Sequence, residues 1–197
     1  VDEARGVFRE SLDEHGKMSK QLLGIQSEQV AFWLDFYGQI PVRVWMPIFI
    51  LGRAAHALQD SFAHTYRSED LSEIYAVGNF VEAIGSHFDE GRDGPRHSDI
   101  LDDCTLPEVE PLYTEAITAT HEFFVATKGY FGVSDINDGE EEVAKKKKVV
   151  EDVLDKWLKF KEGCGADADY CGTPWAALAK RGETHPLLGC RSHNGLS

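Results

Sequence analysis

The sequence predicts an all-α protein, a multi-helix bundle that ends in an irregular Cys- and Gly-rich tail. Three observations predict it. Apolar residues recur at three- and four-residue spacing in most segments between the Pro and Gly clusters. One such segment, Pro47 to Arg67, has no internal Pro and is rich in the good helix formers Ala, Leu and Gln. Alternating apolar and polar runs, the mark of a half-buried strand, are scarce.

A first helix is expected from about Glu3 to Gly24, where Val7, Phe8, Leu12, Met18, Leu22 and Leu23 recur among charged residues. A second is expected over Gln26 to Tyr37, with Val30, Phe32, Trp33, Leu34 and Phe36 as its apolar set. Pro41 and Pro47 then punctuate the chain, and Pro is tolerated in a helical first turn. The third helix opens Ile48-Phe49-Ile50-Leu51, apolar nearly all round, which predicts a buried central element. Gly52 lies one turn before His56, where a missing side chain leaves room for a neighbouring helix. Leu71 to Ser86 carries Ile74, Tyr75, Val77, Phe80, Val81 and Ile84 at helical spacing, weakened by Gly78. Gly85 to Pro107 is too polar for a core. Pro111 to Lys128 and Glu140 to Lys161 read as two further amphipathic helices, with Lys145 to Lys148 as a solvated face. Beyond Gly163 one short helix is expected around Trp175 to Arg181.

The third helix contains His56-Ala-Leu-Gln-Asp60-Ser-Phe-Ala-His64. Steps of four residues drift only about 40° each around a helix, so His56, Asp60 and His64 form one line, roughly 6 Å apart along the axis. Imidazole, carboxylate and imidazole are all metal ligands. A carboxylate between two histidines can give one oxygen to each of two cations, as two-metal hydrolytic sites require. The alternative is two ordinary, partly buried histidines with Asp60 as a hydrogen-bond partner.

The stretch Leu51-Gly-Arg-Ala-Ala-His-Ala-Leu-Gln-Asp-Ser-Phe-Ala-His-Thr65 resembles the LGRxxHxxQDxxxH signature of the zinc-dependent phospholipase C superfamily, which includes single-strand-specific nucleases and heterokaryon-incompatibility C proteins. The likeness covers about fifteen residues. It implies an all-α fold of that type, up to three zinc ions and hydrolysis of phosphodiester bonds. Carried over by position, Asp60 would be the bridging, catalytic carboxylate, with His56 and His64 on different ions. The chain departs from the pattern elsewhere: residue 1 is Val rather than the Trp common there, and no second HxxxE or HxxxD follows.

A cluster needs more ligands than one helix supplies. The loop Ser86 to Ile100 crowds His87, Asp89, Glu90, Asp93, His97 and Asp99 together, and loops on a rigid scaffold often carry function. His87, with Asp93 or His97, is the expected completion; an exposed, merely wet loop is the alternative. His15, beside Asp13 and Glu14, is a further candidate ligand, and His121 is divided between core and ligand. Asp35 or Asp93 could orient an attacking water. Residues 1–162 then form the helical metal-binding domain, with 163–197 a tail packed on it.

The chain has 197 residues, 42% of them hydrophobic, and a net charge of -14. That length suits one domain with a sizeable core. The negative surface argues against a basic-groove nucleic-acid binder and a stable nucleic-acid complex. No apolar window is long enough for a transmembrane helix. Cys104, Cys164, Cys171 and Cys190 form an even set in polar, Gly-rich segments, which reads as disulfides in a secreted or extracytoplasmic protein. Locality favours Cys164 with Cys171 and Cys104 with Cys190. The functional expectation is a zinc-dependent, phospholipase C-like hydrolase acting on a phospholipid or other phosphodiester. A non-catalytic interaction protein with a remnant metal site and a single-strand nuclease are the alternatives.

Overall fold

The computed structural model describes residues 1–13, 17, 27–34, 38–79, 87, 89, 92, 94–131, 139–164 and 170–182. Among them lie five α-helices and two small antiparallel sheets, so the architecture is mixed α/β and the all-α expectation is corrected. In chain order these are α1 (Asp2–Glu10), β1 (Ser27–Leu34), β2 (Gly38–Trp45), α2 (Met46–Ala63), β3 (Thr65–Arg67) and β4 (Ile74–Val77). Then come α3 (Glu110–Phe131), α4 (Glu140–Trp157) and α5 (Pro174–Gly182). Short 3-10 turns occupy Asp99–Asp102, Pro107–Val109 and Tyr170–Gly172.

The helix expected over Gln26 to Tyr37 is instead the first arm of a hairpin, in register from Ser27↔Trp45 to Leu34↔Gly38. Its short apolar run satisfies a period of two as well as a helical period, and Val, Phe and Trp suit a pleated surface. The partner strand settles the matter: Val42, Arg43 and Val44 alternate, and Gly38 takes φ +66° where the chain returns. Pro41 is tolerated because both strands of a two-stranded sheet have an open edge.

The helix expected from Leu71 also gives way, to β4, which pairs with β3 from Thr65↔Val77 to Arg67↔Ile74. Leu71 itself sits at φ +61°, which interrupts any helical path there. Ile74 also bridges to Phe160: its amide donates to the Lys159 carbonyl (2.7 Å) and its carbonyl accepts from the Lys161 amide (2.9 Å). Residues 80–86 of that expected helix lie outside the described residues. So does most of the first expected helix beyond Asp13. Helices α2 to α5 lie where the apolar spacing put them.

The chain forms two compact units, Val1–Ala57 with Phe123–Glu151, and Leu58–Glu122 with Asp152–Ser197. In the first, α1 begins with Asp2 and Glu3 and ends with Arg9, the order the helix dipole favours. The Asp2 carboxylate accepts from the Tyr130 hydroxyl (2.7 Å) and the Lys147 ammonium (2.6 Å). Arg5 Nε donates to the Tyr130 carbonyl (3.0 Å) with its guanidinium over the same ring. Phe8 packs against Trp45 and Phe131, and Trp45 Nε1 donates to the fully buried Ser11 hydroxyl (3.1 Å).

The second unit holds a core built on Leu71, Leu101, Val109, Leu112, Trp175 and Leu178. Arg67, with no solvent exposure, ties it together. Its guanidinium donates to the carbonyls of Ser61 (3.0 Å), Leu71 (3.0 Å) and Trp157 (2.8 Å) and to the Ser61 hydroxyl (2.9 Å). Its face lies over Phe62, 4.0 Å from the ring centroid. Ser61 and Trp157 lie in the last turns of α2 and α4, so one cation meets the negative ends of two helices. Burial lowers its pKa to about 10, which leaves it charged at neutral pH.

Candidate metal centre

His64 follows the last residue of α2. Its amide donates to the Asp60 carbonyl (2.8 Å), closing the final turn, and its carbonyl accepts from the Gly78 amide (2.8 Å) just past β4. The next residue, Asn79, donates its amide to the Pro95 carbonyl and accepts from the His97 amide, each at 2.8 Å. Gly78 and Asn79 therefore hold the His64 and His97 backbones side by side. The approach is close: a Cβ on Gly78 would crowd the backbone at 3.1 Å from His97 Cα and 3.4 Å from the His64 carbonyl oxygen. The Tyr66 hydroxyl donates to the Arg96 carbonyl (2.8 Å), anchoring the residue before His97.

The third group comes from the 3-10 turn Asp99–Asp102. Residues three apart eclipse in this geometry, so Asp99 and Asp102 project to one side. Ile100 and Leu101, between them, are buried and fix the turn in the core. Asp102 Oδ2 lies 3.1 Å from His97 Nε2, and Asp102 Oδ1 lies 3.4 Å from His64 Nε2. Asp99 Oδ1 lies 3.4 Å from His97 Nδ1. The two imidazoles meet edge to face, 4.7 Å between centroids.

Burial raises the Asp102 carboxyl pKa, but hydrogen bonds from His64 and His97, with their charges, outweigh it and hold the group well below the carboxylate range. The hydrogen bond to Asp102 raises His64 against the opposing effect of burial, with smaller help from the charges of Asp102 and Asp60.

One ligand atom each from His64, His97 and Asp102 lies within 4.8 Å of the others, an arrangement that could hold a metal ion. His97 Nε2 and His64 Nε2 each face a different oxygen of the Asp102 carboxylate, at 3.1 and 3.4 Å, and imidazole and carboxylate are both zinc ligands. Asp99 at the far nitrogen of His97 is the outer carboxylate that commonly orients a ligating imidazole. The donor set does not decide which metal.

Of the residues singled out from the sequence, His64 and His97 join this group. Asp60 lines a pocket of about 260 Å³ with Phe62, Leu101 and Leu112. His56 belongs to the first unit, where it is exposed and lines a groove. The buried-rod expectation for α2 is corrected, since Ile48 and His56 both face solvent. His87 is exposed, its carbonyl accepting from Arg92. His121 is exposed as well. His15, Asp35 and Asp93 lie outside the described residues. Asp102 was missed. Its signal was present in Asp99-Ile-Leu-Asp102, an apolar pair between acids three apart.

No protein-family model matches the chain, no characterised protein matches its sequence, and no solved structure matches its fold. The phospholipase C likeness therefore rests on Leu51 to Thr65 alone. The Cys164–Cys171 disulfide is present, which fits an oxidising compartment weakly. The expected Cys104–Cys190 pair falls on Cys190, outside the described residues. No helix among the described residues is long and apolar enough to cross a membrane.

Proposed function

We propose that the protein is a metal-dependent phosphodiester hydrolase whose centre is held by His64, His97 and Asp102, with zinc the expected ion. The observation that carries this reading is the convergence of the His64 and His97 Nε2 atoms on the Asp102 carboxylate, one at each oxygen. Three protein ligands with a fourth position left to solvent is the pattern of catalytic rather than structural zinc sites. Bound there, zinc would act as a Lewis acid toward a phosphoryl oxygen and lower the pKa of a water. Asp99 Oδ1, 3.4 Å from His97 Nδ1, would orient the ring so that Nε2 faces Asp102. His97 is nearly buried and held by its backbone, whereas Asp102 and His64 are more open, so substrate approaches from their side. The phosphodiester class comes from the motif around His56 to His64.

A second reading, a non-catalytic metal-binding module, is favoured by one observation: His56 and Asp60 stand outside the three-residue group. Hydrolysis of bis(p-nitrophenyl) phosphate by zinc-loaded protein separates the two. The hydrolase reading expects turnover that Asp102→Asn abolishes. Bound zinc with no turnover of this ester, a phosphocholine ester or single-stranded nucleic acid would leave the module.

A further inference from the structure

The segment from Tyr170 through α5 contacts the chain close to each member of the His64–His97–Asp102 group. Tyr170 is buried and stacks on Tyr66, with centroids 4.7 Å apart and planes 20° from parallel. Tyr66 stands two residues past His64, and its hydroxyl holds the Arg96 carbonyl beside His97. On the other side of His97, the Ser98 hydroxyl donates to the Ala179 carbonyl in α5 (3.4 Å). Helix α5 packs on the 3-10 turn that supplies Asp102, where Ile100 and Leu101 share a core with Trp175 and Leu178. The Thr173 hydroxyl donates to the Arg67 carbonyl in β3. All of these contacts lie within the second unit.

The turn that presents Tyr170 is unfavourable on its own. Tyr170 and Cys171 both lie in the left-handed region, at φ +40° and +53°, where a side chain crowds its own backbone. Two consecutive non-glycine residues persist there only where their surroundings impose it. The Cys164–Cys171 bridge, at a sequence separation of 7, is a covalent tether on this turn. Cys171 is exposed, and exposed or strained bridges are the ones that thiols open.

We propose that this bridge is a redox latch on the metal centre. Closed, it holds the Tyr170–Tyr66 stack that fixes Arg96 and His97; opened, it releases them and zinc binds more weakly. The latch rests on the reading of His64, His97 and Asp102 as zinc ligands. Its reductant is a dithiol. One thiolate of the dithiol attacks Cys171 Sγ, the S–S bond breaks, and Cys164 leaves as a thiolate that takes up a proton. The second thiol then displaces Cys171 from the mixed disulfide. The products are two cysteine thiols, carrying the protons the dithiol gave up, and the oxidised cyclic dithiol. Without the tether, Tyr170 and Cys171 relax out of the left-handed region and the ring leaves Tyr66.

The test compares zinc affinity, by competition with a chelator, between the full chain with its bridge closed and Cys164→Ser/Cys171→Ser, which has no thiol there to bind the metal itself. The variant should hold zinc on the order of tenfold more weakly, with circular dichroism unchanged. Tyr66→Phe keeps the ring and loses the hydroxyl, so it should weaken zinc with the bridge closed, and removing the bridge in that background should add little. Val109→Ala, a core truncation in the same unit that spares tether and stack, should change affinity far less. In native buffer, dithiothreitol should open Cys164 and Cys171 to iodoacetamide, as located by peptide mass. Equal affinity with and without the bridge, full affinity in Tyr66→Phe, equal weakening by Val109→Ala, or a bridge that opens only in urea would each overturn the latch alone. Wild-type protein that binds no zinc would overturn the metal reading, and the latch with it.

Discussion

Asp102 holds two imidazoles at once, and most of the chemistry proposed here passes through that carboxylate. Asp102→Asn keeps the shape and removes the charge, so zinc affinity should fall further than in Asp99→Asn, which touches only the back of His97. For Asp99→Asn a loss on the order of 10- to 100-fold is expected, measured by zinc titration against a competing chelator. Acidity should show the same coupling. The folded-state pKa of His64 is raised, so in metal-free protein its ion pair contributes stability fully below about pH 6.5 and loses it as pH climbs through the raised value. Asp102 is lowered, so its share is present above about pH 4 and lost only in strong acid. Zinc needs neutral imidazole, so its stabilising effect runs the other way and grows with pH. The gap in Tm between zinc-loaded and zinc-free protein should therefore widen between about pH 6 and about pH 8. A constant gap would argue that His64 is not a ligand. At this scale the sequence made His64 and His97 visible by type and neighbourhood. Asp102 was hidden because its alignment with Asp99 depends on a 3-10 turn that periodicity does not announce.

Elements bring these side chains together by ending where they do. Helix α2 stops at Ala63, and the turn into β3 places His64 beside the Gly78–Asn79 segment, which also accepts a hydrogen bond from the His97 amide. Gly78→Val would press on His97 Cα. A cost of about 1–3 kcal/mol is expected in urea unfolding, together with weaker zinc binding. Arg67 acts on the same helix end through Ser61. Arg67→Met would leave the Ser61, Leu71 and Trp157 carbonyls without this donor, and a loss of roughly 3 kcal/mol or more is expected, with Arg67→Lys recovering only part. Helices α2 to α5 were legible because their apolar spacing is long and repeated. The hairpin and β4 were not, because each is a short run of Val, Ile, Phe or Tyr that fits either period, and only pairing with a partner chooses between them.

For the whole molecule, helices with two small antiparallel sheets stand where an all-α bundle was expected, while the expected Cys164–Cys171 disulfide is present. The Cys164–Cys171 bridge closes a short loop next to Tyr170, which stacks on Tyr66 at 4.7 Å. Reduction should cost about 2–3 kcal/mol on loop entropy, measurable as a lower urea midpoint in Cys164→Ser/Cys171→Ser. The acidic balance was readable from composition and stands apart from the fold, since net charge governs partners rather than architecture. The fifteen-residue motif lies on a helix and ends next to one member of the His64–His97–Asp102 group, yet the all-α fold it implied does not follow, because a local pattern says little about what surrounds it. The most direct measurement is the zinc content of protein dialysed without chelator, compared among wild type, His97→Ala and His56→Ala. The account predicts one tightly held zinc per chain, lost in His97→Ala and kept in His56→Ala. No zinc in the wild type, or loss with His56→Ala while His97→Ala keeps it, would contradict it.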